Sequence, residues 1–240
     1  MKRIISLLFG LSVLAVPGCE KNTRPIYPEP YQYWTPYTIA EYLDGKLTLE
    51  AIKQETPDFI GQRLDDEGIR LVFTNTVLYQ DPNLRDEPQN TDQYIECATK
   101  NGDIRDRKYL QVYNHPITER AFAFNWHAVT VTSNKRYDAK HPAGTPLNDL
   151  LEFHAATYGP YILSGYDSGI NPFIFLDKPL PECSVEELSI LFANIWDYPC
   201  VYFTKSPDKT EEHKITVRIE ADYGEPVRKA SIRCIPVWRH

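Results

Sequence analysis

Glycine and basic residues are both scarce in this sequence, and each scarcity excludes a class of function. The chain has 11 glycines in 240 residues, and no loop has the closely spaced glycines whose backbone amides cradle a phosphate. Nucleotide-binding folds of the P-loop and Rossmann types are therefore excluded. Lys and Arg number 26 against 33 Asp and Glu, which gives a net charge of -7. Because binding a phosphate backbone requires a positive face, we expect no nucleic-acid partner.

The sequence also lacks diagnostic catalytic and metal-binding spacings. No cysteine pair has the C-x-x-C spacing, and no histidine pair has the H-x-x-x-H spacing, of a metal centre. The nearest match to a Gly-x-Ser-x-Gly nucleophile elbow has its first glycine, Gly165, one residue too far from Ser168. We therefore expect no metal, no cofactor and no enzymatic activity. A hydrolase with paired carboxylates stays as an alternative, because carboxylate separation is a three-dimensional property.

The one long apolar run lies at the start of the chain. Lys2 and Arg3 precede a mainly apolar stretch from Ile4 to Leu14. As a helix this stretch would reach only about 16 Å, roughly half of a bilayer core. A positive end followed by a short apolar region is typical of a signal peptide, which we place at residues 1–18.

The signal peptide ends in Val16-Pro17-Gly18-Cys19, which resembles the lipobox of bacterial lipoproteins. The resemblance implies cleavage before Cys19 and diacylation of its thiol, although Pro17 departs from the usual small or aliphatic residue. Two acyl chains anchor a protein stably in a membrane. We therefore expect a lipid-anchored protein of the bacterial cell envelope, at the outer membrane. The alternative is a general secretory signal with Cys19 as a spare thiol.

Residues 19–37 are rich in proline and tyrosine and predict an extended tether. The aromatic residues in it are Tyr27, Tyr31, Tyr33, Trp34 and Tyr37. A simple spacer does not need so many aromatic side chains. Either the segment packs back on the domain, or Tyr31, Tyr33 and Trp34 form a platform for a sugar or a partner protein.

Residues 38–240 predict a single β-rich domain. Residues 69–79 and 215–219 alternate apolar and polar side chains, which is typical of strands, and residues 230–234 complete a terminal hairpin. The apolar parity inverts inside residues 121–132, which favours a β-bulge or bend. Short helices are predicted after Thr38, Thr145 and Ser184, two of them from capping boxes, and another is considered at residues 48–55. The fold class that follows is a β-sandwich-like domain with two or three short helices.

Four cysteines follow Cys19, and an even number in an exported chain is consistent with two disulfides. Cys183 and Cys200 flank the helix predicted after Ser184, so a bond between them would close a short loop. Cys97 and Cys234 lie in predicted strands and could pair across a sheet. Four buried thiols are the alternative.

A second resemblance lies between Thr132 and Leu151. The stretch Tyr137-Asp138-Ala139 and the later HPAGTPLND sequence, residues 141–149, resemble uncharacterised exported lipoproteins of Bacteroidetes. The resemblance implies a periplasmic or cell-surface lipoprotein of largely β structure and implies no activity. From the residues alone, the stretch predicts a Pro/Gly turn that ends at a capped helix.

These observations favour a non-enzymatic envelope lipoprotein whose β domain binds a ligand or another envelope protein, or has a structural role. A surface glycan-binding protein that uses exposed Tyr and Trp is the first alternative. A hydrolase and a fimbrial subunit are two further alternatives.

Overall fold

A computed structural model describes residues 33–53, 66–84, 86–104, 111–113, 120–193 and 199–238. The strands are β1 Tyr33–Thr35, β2 Glu41–Lys53, β3 Asp66–Gln80, β4 Gln111–Tyr113, β5 Arg120–Phe122, β6 Trp126–Ser133, β7 Leu151–Thr157, β8 Ile174–Pro179, β9 Cys200–Phe203, β10 His213–Ala221 and β11 Val227–Cys234. The α-helices in these ranges are α1 Thr91–Lys100 and α2 Gly159–Leu163. Neither helix is long and apolar enough to cross a bilayer. Two 3₁₀ helices span Asn148–Leu150 and Leu180–Glu182.

The strands form two larger sheets and one small one. A six-stranded sheet has the order β5-β2-β3-β9-β7-β8, and a three-stranded sheet has the order β11-β10-β6. Strands β1 and β4 form a separate antiparallel pair. Strand β11 contacts β2, so the two larger sheets meet along that side. The predicted fold class, a β-sandwich-like domain with a few short helices, is confirmed.

Alternating apolar residues build the sheets as the sequence predicts. In β10, Ile215, Val217 and Ile219 are fully buried, and β11 pairs with β10 as the predicted terminal hairpin. In β3 the pattern fails at Asn75, which has a φ of 51° where the register with β2 shifts. After this bulge Val77 is 45% exposed, although the alternation in residues 69–79 places it on the apolar face of the strand.

An aromatic cluster fills the core beneath β3, β5, β6 and β7. The ring centroids of Phe73 and Phe122 lie 4.6 Å apart, and Trp126 lies 5.8 Å from Phe122 and 6.1 Å from Phe153. Such tilted pairs add stabilisation beyond the buried apolar area.

The predicted parity change in residues 121–132 is a β-bulge in β6, where Ala128 pairs with Glu220 but Trp126 pairs with Ala221, so that His127 is the extra residue. Just before it, the chain has a break between β5 and β6 at residues 123–125. Asn125 lies in this break and is buried. Its side-chain amide donates to Asn101 Oδ1 at 2.9 Å, and its Oδ1 accepts the Ile190 backbone N–H at 2.9 Å. The break therefore joins the end of α1 to the loop after the second 3₁₀ helix.

The helix predicted from the Thr38 capping box is wrong. Thr38 and Glu41 both form hydrogen bonds with residues that are distant in the sequence. Glu41 begins β2, and its carboxylate accepts hydrogen bonds from Arg120 Nε and from Gln80 Nε2. The backbone N–H groups of Thr38 and Ile39 donate to Asp103 instead. Residues 48–53, part of a second helix considered at 48–55, also belong to β2.

The Ser184 capping box forms without a helix behind it. The Ser184 N–H donates to Glu187 Oε2 at 2.8 Å, and the Glu187 N–H donates to Ser184 Oγ at 3.3 Å. The chain then turns at Ile190, whose φ is 48°, and Leu191 and Phe192 make bridges to β7 and β5. The helix predicted after Thr145 is reduced to the 3₁₀ turn at Asn148–Leu150.

The N-terminal part of the described chain is fixed to the domain by two buried carboxylates. Asp103 is 0% exposed and accepts the N–H groups of Thr38 at 2.8 Å and Ile39 at 3.0 Å, as well as the Tyr166 hydroxyl at 2.8 Å. Asp81 accepts the Thr35 hydroxyl. Burial raises the pKa of both carboxyl groups against the opposing effect of these hydrogen bonds.

The predicted boundary between a tether at 19–37 and a domain at 38–240 therefore falls inside the fold. Residues 33–37 lie in or beside β1, and the Tyr37 ring packs edge-on to Tyr94 with centroids 5.1 Å apart. For Tyr37, packing back on the domain is the arrangement found. Tyr27 and Tyr31 lie outside the described residues.

We predict that Asp103→Asn lowers the free energy of unfolding by about 2–3 kcal/mol, because one buried acceptor oxygen becomes an amide group facing N–H and O–H donors. Urea denaturation followed by circular dichroism measures the change. Asp86→Asn, at an exposed position, is the matched control and should change stability by less than about 0.5 kcal/mol. Equal effects of the two variants would contradict the assigned role of Asp103.

Candidate functional site

The structure describes two of the three residues predicted to form an aromatic platform. Tyr33 and Trp34 lie in β1, where their backbones pair with Tyr113 and Val112 of β4. Tyr31 and the lipidation residue Cys19 lie outside the described residues. The platform of Tyr31, Tyr33 and Trp34 therefore stays a prediction, with two of its members on a paired strand.

Neither predicted disulfide is present. Cys97, Cys183, Cys200 and Cys234 are all thiols in this structure, so the pairings Cys183–Cys200 and Cys97–Cys234 are not formed. The strand predicted to contain Cys97 is instead helix α1, so Cys97 lies on a helix and not in a sheet. Burial raises the pKa of Cys97 to about 12 and that of Cys183 to about 11, so both thiols are protonated near neutral pH.

The polar residues of the stretch at 137–149 bond to one another and to the sheet. The ring of His141 is held at both nitrogens, with Nδ1 2.7 Å from Asp138 Oδ1 and Nε2 3.0 Å from Asp149 Oδ1. Lys205 donates to the other oxygen of Asp138 at 2.6 Å. Asn148 accepts the Val131 N–H at 3.1 Å, and its amide donates to the carbonyl of Val129. The stretch is thereby fastened to β6.

The charged residues of this stretch shift one another's pKa values towards the ionised forms. Burial lowers the pKa of His141, but its hydrogen bonds to Asp138 and Asp149 raise that pKa by more, so the imidazolium is favoured. The hydrogen bond from Lys205 is the largest of the effects that hold the pKa of Asp138 well below its usual range. Because both ring nitrogens already have carboxylate partners, His141 is committed to this internal network.

An open cleft of about 390 Å³ lies between the β2–β3 bulge and the turn that joins β10 to β11. The bulge, at Gly45 and Asn75, forms one wall, and the turn and the start of β11 form the other. The lining residues are Asp44, Gly45, Lys46, Leu47, Asn75, Val77, Glu225, Arg228 and Lys229. We call this feature the Arg228 cleft.

Arg228 is the unusual residue of the cleft, because its side chain is only 2% exposed. The guanidinium carbon lies 3.5 Å from the centroid of Phe124, a member of the aromatic core. Nη2 donates to Asp44 Oδ1 at 2.9 Å, and Nη1 donates to the carbonyl of Glu225 at 2.7 Å. Stacking and planar hydrogen bonding of this kind suit arginine much better than lysine.

The hydrogen bonding of Arg228 is incomplete. Its Nε is buried and has no hydrogen-bond partner among the described residues. A buried donor without an acceptor costs about 1–3 kcal/mol. This unsatisfied donor lies inside the fold, behind the surface of the cleft.

Gly224 allows the turn to approach this ion pair. Its φ is +66°, which favours glycine, and a Cβ there would lie 3.1 Å from Arg228 Nη2 and 3.2 Å from Asp44 Oδ2. Any larger residue would crowd the pair.

The rim of the Arg228 cleft is positively charged and partly apolar. Lys46 and Lys229 are exposed at the rim together with one carboxylate, Glu225, while Asp44 is paired with Arg228, so the lining carries a net charge of +1. Val77 adds an exposed apolar side chain. Such a rim suits a ligand that combines an anionic group with an apolar or sugar-ring face.

Sequence reasoning missed this cleft, although one signal was available. Arg228 has the same strand parity as Ala230, Ile232 and Cys234, the inward-facing residues of β11. A charged residue on the apolar face of a strand indicates a buried ion pair. Its partner Asp44 lies too far away in the sequence to be identified from spacing.

Comparison of the chain with protein-family models, with curated proteins and with solved structures found no match. The geometry of the described residues is therefore the basis for the functional proposals below.

We predict that Arg228→Met lowers the free energy of unfolding by about 3 kcal/mol, because Asp44 loses its buried partner. Arg233→Met, on the same strand, is the matched control. Arg233 is 76% exposed and pairs with a half-exposed Glu212, so its loss should cost less than about 1 kcal/mol. Guanidinium denaturation measures both values. A stability loss in Arg228→Met no larger than in the control would contradict the role given to Arg228.

Proposed function

We propose that the chain is a lipid-anchored protein of the bacterial cell envelope whose β domain binds a ligand or partner protein, without catalysis, in the Arg228 cleft. The observation that carries the binding role is the cleft itself. Its volume of about 390 Å³ lies in the range of small-molecule sites, about 300–1,000 Å³. The buried ion pair of Arg228 and Asp44 forms part of its wall, and two lysines, Lys46 and Lys229, are exposed at its rim.

The lining of the cleft supports binding more than covalent catalysis. None of the residues described as lining it is a serine, cysteine or histidine. Asp44 accepts hydrogen bonds from Arg228 and, at 3.4 Å, from the Tyr79 hydroxyl. A carboxylate held in this way is suited to orienting Arg228.

The proposed lipid anchor rests on the N-terminal sequence. A signal peptide at 1–18 followed by Cys19 would leave an acylated cysteine ahead of the domain. A chain anchored there would enter the described fold at Tyr33, where Asp81 and Asp103 hold the following residues. The resemblance of the N-terminal sequence to a lipobox supports a location at the outer membrane.

A glycan is the second candidate ligand, and the charge of the rim favours an acidic one. Lys46 and Lys229 would pair with a uronic acid or sulfated sugar, and Val77 offers an apolar contact for a sugar ring. This candidate differs from the aromatic platform of Tyr31, Tyr33 and Trp34 in where the sugar would bind.

We predict that labelled palmitate enters the chain in the cells that produce it and that Cys19→Ala abolishes labelling and membrane fractionation together. Cys183→Ala is the control, because that thiol lies in the described domain, and it should leave both unchanged. The lipid anchor would be rejected if the Cys19→Ala chain stayed in the membrane fraction.

We predict that lipid-free chain carrying Cys19→Ala binds acidic sugars on a glycan array. Adding Lys46→Glu and Lys229→Glu should lower the affinity at least about tenfold, because each reversal replaces attraction by repulsion. Lys140→Glu with Lys214→Glu, at exposed positions outside the cleft lining, is the matched control and should stay within about twofold.

The other outcomes of the array are also informative. Binding lost in a Tyr33→Ala and Trp34→Ala variant, but kept in the lysine variant, would move the site to the N-terminal aromatic segment. Absence of glycan binding would remove the second candidate and leave a protein partner.

A further inference from the structure

Three potential metal ligands meet on the outer face of the six-stranded sheet. His154 of β7 lies directly opposite Asp177 of β8, and Glu152 precedes His154 by two residues on the same face of β7. The other face of β7 is buried, with Leu151 1% and Phe153 0% exposed. The three polar side chains therefore point away from the core, on strands whose register is fixed.

The spacing of the three ligand atoms suits a small divalent cation. His154 Nε2 lies 3.0 Å from Asp177 Oδ1 and 3.8 Å from Glu152 Oε2. One ligand atom from each residue lies within 4.8 Å of the others. Bonds of 2.0–2.1 Å in a tetrahedral zinc site place neighbouring ligand atoms about 3.4 Å apart, so small side-chain rotations suffice.

The histidine in the group selects among metals. Calcium and magnesium prefer sets made only of oxygen ligands, whereas zinc accepts imidazole together with carboxylates. The side chains of Asp177 and Glu152 are 73% and 43% exposed, which leaves room for a water or an external ligand at the fourth position.

Neighbouring residues support the arrangement. The ring of Tyr202 on β9 packs edge-on to His154, with centroids 4.6 Å apart, and fixes one side of the imidazole. Among the described residues, the ion pairs of Glu152 and Asp177 are both with this single histidine. Two carboxylates around one imidazole leave negative charge that a dication would neutralise.

We propose that Glu152, His154 and Asp177 form a zinc-binding site on the outer face of the sheet. The sequence predicted no metal because the usual histidine and cysteine spacings are missing, but here the third ligand comes from the neighbouring strand. The site lies on β7 and β8, whereas the Arg228 cleft lies between the β2–β3 bulge and the β10–β11 turn. The two proposals are therefore independent.

Calorimetric titration of the full chain with zinc chloride, after treatment with a chelator, tests the proposal. We expect one zinc ion per chain and a rise in the melting temperature on addition of zinc. His154→Gln and Asp177→Asn should each lower the affinity at least about tenfold and remove the rise in melting temperature. His127→Gln is the matched control, since His127 is an exposed histidine 3.9 Å from a single carboxylate, Asp222.

Three outcomes would overturn the assignment. The first is an absence of zinc binding in the chelator-treated chain. The second is unchanged affinity in His154→Gln, which would place the ion elsewhere on the chain. The third is calcium binding as tight as zinc binding, which would indicate a nonspecific acidic surface. Circular dichroism spectra matching those of the unmodified chain would establish that each variant is folded.

Discussion

The guanidinium of Arg228, stacked on Phe124, is the interaction on which the closed side of the sandwich depends. Taking a charged group out of water costs several kcal/mol unless it is paired and hydrogen-bonded. Here the cost is offset by Asp44 on β2, by carbonyls of the β10–β11 turn and by the aromatic ring. The Arg228 side chain therefore joins β11 to β2, holds the β10–β11 turn and packs against Phe124 of the aromatic core. The Arg228 cleft is the surface of that junction.

The same principle operates where the chain enters the fold. Asp103 is fully buried, and backbone N–H groups and hydroxyl groups compensate its charge. Its partners come from the N-terminal segment, β2 and the loop after α2, so it fixes elements that are distant in sequence. Buried polar groups of this kind specify one arrangement, because any alternative leaves a donor or acceptor unpaired. The proposed anchor at Cys19 would thus join a rigid entry point.

The sequence predicted the fold where the signal is local and repeated, and failed where partners are distant. Alternation in residues 215–219, followed by the strand at residues 230–234, was enough to predict the β10–β11 hairpin. The capping box at Ser184 was also real, but Leu191 and Phe192 gain more by pairing with strands than by continuing a helix. The parity of Arg228 indicated a buried cation, whereas the identity of Asp44 required the folded chain. His154 and Asp177 likewise meet only through strand register.

The stretch at 141–149, which carries the resemblance to exported lipoproteins, has a structural role in this fold. His141 and Asn148 are both used in internal hydrogen bonds that fasten the stretch to β6 and to Asp138. None of its residues lines the Arg228 cleft or belongs to the group at Glu152, His154 and Asp177. A protein that shared only this stretch would therefore share a way of bracing the sheet, and its ligand would have to be inferred from other residues. For the same reason, the specificity of the proposed binding site should follow the exposed residues of the Arg228 cleft, at positions 46, 77, 225 and 229.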